Sequence, residues 1–206
     1  MLWEETVVYP EQKLWIYRNK SNTLVISQSH GRLYGPLNNN DQAAWWGYLC
    51  DNYFYNNGTI TQMTFSQQDK TTPSPPKLNN NGQMVWFESL TDYYNRIDFF
   101  QNPGIIYFGY SNQHINSYPN FNNLGHVVWT QEVGSYYQVF LFDGSSVVQV
   151  TNDDIDKNNP KINDSGDIVW VQPGSDPNGL ALVLRRNKVN TTITEKFDSG
   201  RNIFTS

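Results

Sequence analysis

Acid–base chemistry on a sugar needs two carboxyl groups standing between about 5 and 10 Å apart across the scissile bond. The acids that could form such a set are Glu88 and Glu132, each just past a tryptophan, and Asp41, with Asp98 further along. They read more naturally as solvated strand ends than as a converging cluster. A nucleophilic triad has little support: no Gly-x-Ser-x-Gly elbow is present, and only three histidines are available. His126 shares its position in a repeat with Gln42, Gln83 and Asp167 and is expected to be exposed. His30 and His114 fall in equivalent connectors of alternate repeats, too far apart on a rim to share an ion. The sole cysteine, Cys50, can form no intrachain disulfide and has no base beside it in sequence. The acid-rich stretch from Thr151 to Asn159 carries Asp154 and Asp156 at the alternating spacing that Ca²⁺ favours. It lacks the glycine and the closing glutamate of an EF-hand loop. A solvated acidic loop is expected, a weak Ca²⁺ site is the alternative, and no other cofactor is implied.

Aromatic residues that break the repeat offer a better lead than the acids. Tyr93 with Tyr94, and Tyr136 with Tyr137, fall at equivalent places in neighbouring repeats and are expected in loops outside the strands. Exposed tyrosine beside asparagine suits stacking on a sugar face, or an anchor for a protein partner.

The frame that must position these residues is a repeat. Pro76 to Trp86, Pro119 to Trp129 and Pro160 to Trp170 share one pattern, Pro-x-[Leu/Phe/Ile]-Asn-[Asn/Asp]-x-Gly-x-[Met/Val/Ile]-Val-Trp. An earlier copy, Gly35 to Trp45, keeps Leu37, Asn38 and the tryptophan but carries Asp41 where the others have glycine. Successive tryptophans are 41, 43 and 41 residues apart, a period of repeat architectures. Each period reads as four short strands, A to D: a short A strand, an Asn-Gly turn, a B strand carrying the tryptophan, an alternating C strand, a hairpin and a D strand. The copy from Pro119 shows them most plainly, with B over 126–130, C over 137–142, an Asp143-Gly144 turn and D over 147–151. Four such strands per period describe the blade of a β-propeller. Nothing shows sustained helical periodicity.

Composition agrees and narrows the partners. Of 206 residues, 15% are aromatic and only 16% charged, and asparagine runs gather at the repeat junctions where left-handed backbone is tolerated. The net charge is −5 and no basic stripe exists, so a nucleic-acid partner is not expected. No apolar run approaches a membrane span, and the first residues form no signal peptide. The compartment stays open, an exported or cell-surface origin included, and a monomer is expected.

The repeat pattern resembles that of TolB-type propellers, whose blades carry Pro-x-[Trp/Phe]-Ser-Pro-Asp-Gly-x-x-Ile-Ala-[Phe/Trp]. It departs by using Asn-Asn or Asn-Asp where that family has Ser-Pro-Asp. The resemblance extends over nearly the whole chain and implies a fold and a binding-module role; it transfers no activity.

The expected fold is therefore all-β, a single five-bladed propeller over residues 1–206. Its blades span 1–30 with 200–206, 33–65, 76–110, 119–151 and 160–194, the C-terminal strand completing the N-terminal blade. The competing reading is a piece of a larger surface propeller protein. The expected function is a non-enzymatic binding or scaffold module for a protein or glycan held at a loop rim by Tyr93, Tyr94, Tyr136 and Tyr137. The alternative is a glycan-active enzyme on the same ring.

Overall fold

A computed structural model describes residues 2–8, 11–18, 21–28, 35–47, 50–66, 72–91, 94–108, 115, 117–175 and 179–194. Their elements are all strands, and the chain falls into two compact units, Met1–Asn112 and Gln113–Ser206. The first unit holds three antiparallel sheets. One joins β1 (Leu2–Val8), β2 (Glu11–Arg18) and β3 (Ser21–Gln28). The next joins β4 (Ala43–Trp46), β5 (Asn52–Asn56) and β6 (Thr59–Gln62). In the third, β7 (Thr72–Pro73) and β8 (Lys77–Leu78) both pair with β9 (Met84–Thr91), followed by β10 (Tyr94–Gln101) and β11 (Gly104–Phe108). The second unit holds two four-stranded sheets. These are β12 (Asn120–Phe121), β13 (Val127–Val133), β14 (Tyr136–Phe142) and β15 (Val147–Gln149), then β16 (Asn158–Ile162), β17 (Ile168–Pro173), β18 (Leu180–Arg186) and β19 (Val189–Thr194). Residues 200–206, assigned from sequence to the first blade, lie outside the described residues.

Burial grades across the sheets whose side chains are described, as it must in a blade. The tryptophan strand is covered on both faces, which is why it reads as an unbroken apolar run such as Met84-Val85-Trp86 or Val127-Val128-Trp129. The last strands, β6, β15 and β19, are exposed almost throughout. Three of the repeated tryptophans pack back on the preceding blade of their own unit. Trp45 meets Leu14 and Ile16, Trp86 lies with Ala44 and Phe54, and Trp170 with Val128 and Val139. Trp45, Trp86, Trp129 and Trp170 are all no more than 1% exposed, so the repeated tryptophan is core.

The first strand of a blade is split, which the sequence pattern hides. β7 pairs with Glu88 and Ser89, β8 with Met84 and Val85, and Ser74-Pro75-Pro76 bulges between them. Proline has no N–H for the ladder, so a bulge is where it fits. Ser74 Oγ fills the gap by accepting the Phe87 amide at 2.9 Å, and Ser117 Oγ does the same for Thr130 at 3.1 Å. Blade three thus begins at Thr72, ahead of the expected Pro76.

The asparagine turns do more than close on themselves. Asn122 Oδ1 accepts the amides of Leu124 and His126, each at 3.0 Å, and Gly125 takes the left-handed conformation at φ 80°. Asn38 and Asn79 cap their turns in the same way. Asp41 replaces glycine in the earliest copy and adopts φ 58°, which aspartate tolerates. The cap's amide nitrogen then reaches the next blade. Asn38 Nδ2 donates to Asn79 O at 2.8 Å, and Asn122 Nδ2 to Asn163 O at 2.9 Å, both 41 residues on. Asn123 adds two bonds to Asp164, at 2.8 Å each, from its backbone N and its Nδ2.

Candidate functional site

The cap position leads into a cleft. Four residues after each cap stands a polar side chain that answers it. Asn38 Nδ2 donates to Gln42 Oε1 at 2.6 Å and Asn79 Nδ2 to Gln83 Oε1 at 2.6 Å, while Asn122 Nδ2 lies 3.4 Å from His126 Nδ1. His126 is accordingly half-buried and engaged, where the sequence suggested simple exposure. Gln42 lies across the next blade's turn: a Cβ on Gly82 would stand 2.7 Å from Gln42 Oε1. Gly82 also takes φ 72°, the left-handed region that favours glycine, and a side chain there would push the Gln42 amide aside.

Gln42 and Gly82 form one corner of a cleft of about 630 Å³ between blades two and three. The β5–β6 hairpin supplies Asn56, Asn57, Thr59 and Thr61 from one side, and Asn81, Asn102 and Pro103 approach from the other. Asn57 (φ 48°) and Gly58 (φ 85°) give the hairpin the two left-handed residues of a tight two-residue turn. Phe54, Met63 and Phe100 form the apolar part of the wall, with the two rings 5.9 Å apart and tilted at 56°. No lining residue is ionisable. The sequence flagged these asparagines only as turn formers; what it hid was that turns 41 residues apart converge on one opening.

The acids considered for catalysis are spent on structure. Glu88 is 2% exposed and accepts the Trp86 indole N–H at 2.9 Å, so it is no solvated strand end. Asp98, also buried, takes two bonds from Arg96, Nε to Oδ1 at 2.5 Å and Nη2 to Oδ2 at 3.0 Å. The guanidinium stacks 4.5 Å from the Tyr107 ring centroid. Burial pushes the Asp98 carboxyl up to about 6; Arg96 pulls it back, and the Glu88 charge adds to the rise. Asp41 stays in its turn, and Glu132 stands half-buried opposite Tyr137 in the β13–β14 ladder.

The described tyrosines of the set stand at strand starts, where loops were expected. Tyr136 and Tyr137 open β14 rather than lying in a loop, and both are half-buried. Gly134 at φ 65° closes a two-residue turn, which lets pairing run on to Val133 and Tyr136. Burial, with Glu132 and Asp156 nearby, holds the Tyr137 phenol above its ordinary value. Tyr94 begins β10, and Tyr93 lies outside the described residues, as do His30 and His114. In the acidic loop Asp154 is exposed, while Asp156 Oδ1 accepts the Tyr137 amide at 2.8 Å. The loop carries its own cation: buried Lys157 pairs with Asp153 and donates to Ile155 O at 2.7 Å. Among the described residues no three His, Cys, Asp or Glu side chains gather as a metal set. Cys50 is exposed, at φ 65°, and its carbonyl accepts the Trp46 indole N–H at 2.9 Å.

No protein-family model matches the chain, and no curated protein does. Solved structures do, at the level of fold. The β-propeller domain of the Trilobed protease from Pyrococcus furiosus, which has an open velcro topology, matches 97% of this chain and 62% of its own. Its TM-score is 0.59 at 11% identity. An acylaminoacyl peptidase of Pyrococcus horikoshii matches 89% of this chain with TM-score 0.59 and 8% identity. TolB from Acinetobacter baumannii matches 94% with TM-score 0.51 and 14% identity. This chain spans about a third of the acylaminoacyl peptidase's length, 31%, and about half of TolB's, 51%. The fold is that of a TolB-like β-propeller.

Proposed function

We propose that this chain is a non-enzymatic binding module whose ligand, a carbohydrate or a protein segment, sits in the cleft between blades two and three. The observation that carries the proposal is the cleft itself: an opening of ligand size with an apolar wall and converging amide and hydroxyl side chains. Chemistry on the ligand has little to draw on there, since the lining holds no acid, base or thiol nucleophile. Glu88 and Asp98, the buried acids of blade three, are held by Trp86 and Arg96. The peptidase activity of a structural relative does not come with the fold.

A thermal-shift screen of oligosaccharide and peptide panels tests the proposal. The wild-type protein should be stabilised by at least one ligand, and Thr61→Lys, on the exposed wall, should lose that stabilisation with its own melting point unchanged. Ligands that stabilise both proteins equally would place the binding seat elsewhere.

A further inference from the structure

The cleft's chemistry narrows its ligand. Charge is the first discriminator. A net-anionic or cationic ligand is held by an opposite charge, and the lining of this cleft has none. The second is the kind of polar group presented. Asn56, Asn57 and Asn102 offer a carbonyl and an amino group on one planar unit, and Thr59 and Thr61 offer hydroxyls that both donate and accept. Such groups match hydroxyls on adjacent carbons, each of which also donates and accepts.

The third discriminator is the apolar wall. Phe100, half-buried beside the amides and backed by buried Phe54 at a 56° tilt, gives an apolar ring surface of the kind that meets the C–H face of a pyranose. A peptide would instead need backbone partners. The Asn79 and Asn38 turns have committed theirs: Asn79 O accepts from both Asn38 Nδ2 and Gly82 N, and the Asn81 and Gln83 amides bond Asn79 Oδ1.

We infer that the cleft between blades two and three binds an uncharged oligosaccharide, its sugar hydroxyls paired with the asparagine and threonine side chains and a ring face against Phe100. This rests on the cleft being the ligand seat.

The test uses the full chain and four probes: cellohexaose, mannohexaose, hexagalacturonate as an anionic counterpart, and an uncharged six-residue Asn/Ser peptide. Binding is followed by side-chain NH₂ resonances of the asparagines, with Thr61→Lys and Asn102→Lys as two separate exposed-wall variants. A neutral hexaose should shift the cleft amides, and each variant should weaken it about tenfold or more with an unchanged melt. Hexagalacturonate binding as tightly as the neutral sugars would overturn the inference. Peptide binding alone, lost in both variants, would overturn it while leaving the cleft as the binding seat. Neutral sugar binding untouched by either variant would overturn both readings, and no binding by any probe would overturn the inference.

Discussion

The indole N–H of Trp86 donates to Glu88 Oε2 at 2.9 Å, two residues along the same strand and buried from solvent. Trp129 makes the same bond to Gln131 at 3.2 Å and Trp170 to Gln172 at 2.9 Å. Trp45 does not. The residue two on is Gly47, and Trp45 Nε1 is buried without a hydrogen-bond partner. Its ring lies instead on Tyr53, centroids 5.7 Å apart and nearly parallel at 11°. A side chain at position 47 would start 3.1 Å from the Tyr53 ring, so stacking there excludes the acceptor used elsewhere.

The acceptor's role separates two substitutions at Glu88. Glu88→Gln, the residue type found in the later copies, should leave stability near wild type. Glu88→Ala should cost about 1–3 kcal/mol, because the Trp86 N–H is left buried and unpaired. Urea unfolding of both variants measures the difference; equal losses would show that the charge, and not the bond, matters.

Asp98 makes stability depend on pH in a defined direction. Its carboxyl rises from 3.8 to about 6 on folding, so the folded protein holds a proton more tightly than the unfolded chain. Stability from this group is therefore greatest in acid, falls as pH rises from about 4 to about 6, and stays lower above. A shift of this size corresponds to about 3 kcal/mol. Asp98→Asn should flatten that slope in unfolding experiments run from pH 4 to 8. Glu88→Gln should shift its midpoint downward, because a like charge beside Asp98 is gone. A wild-type slope unchanged in both variants would reject the assignment.

Asn122 serves several partners at once: two turn amides on its oxygen, and the next blade's Asn163 carbonyl and the His126 ring on its nitrogen. Asn122→Ala should cost about 1–3 kcal/mol, since Asn122 is buried and its loss leaves several polar groups without their bond. Asn123→Ala removes only the exposed Nδ2 contact to Asp164, the backbone N–H keeping its own, and should cost much less. Thermal melts of the pair report the contrast.

Two glycines of the same turn type should respond differently to alanine. Gly166 has φ 80° and nothing within 4 Å of an added Cβ, so Gly166→Ala should cost only the left-handed penalty, about 1–2 kcal/mol. Gly82→Ala adds a collision with Gln42 and should cost more. It should also move the Gln42 side-chain NH₂ resonances, a change that Gly166→Ala lacks.

The blades were legible because Pro, Asn, Gly and Trp each serve a separate local need at a fixed spacing. The third strand of the fourth blade, expected over 137–142, forms as Tyr136–Phe142. What stayed hidden depends on neighbours that lie a full period away. Nothing local in Asn38 says that its nitrogen bonds Asn79, or that Gln42 will lie over Gly82. Glu88 looks like any polar residue leaving a strand until the indole beneath it is placed. The split at Ser74-Pro75-Pro76 reads as a linker, since prolines mark turns as readily as bulges. The cleft is lined from Gln42, the β5–β6 hairpin, Asn81-Gly82 and Asn102-Pro103, and so could not be read from one window of sequence.

The bonds from Asn38 to Asn79 and from Asn122 to Asn163 also say where the chain can accept foreign sequence. An insert between a cap and its strand would break the cap's own turn and its link to the next blade together. The Gly134-Ser135 turn, exposed at the other end of its strands, carries no such link. That turn is a place to graft a tag with the cap links intact.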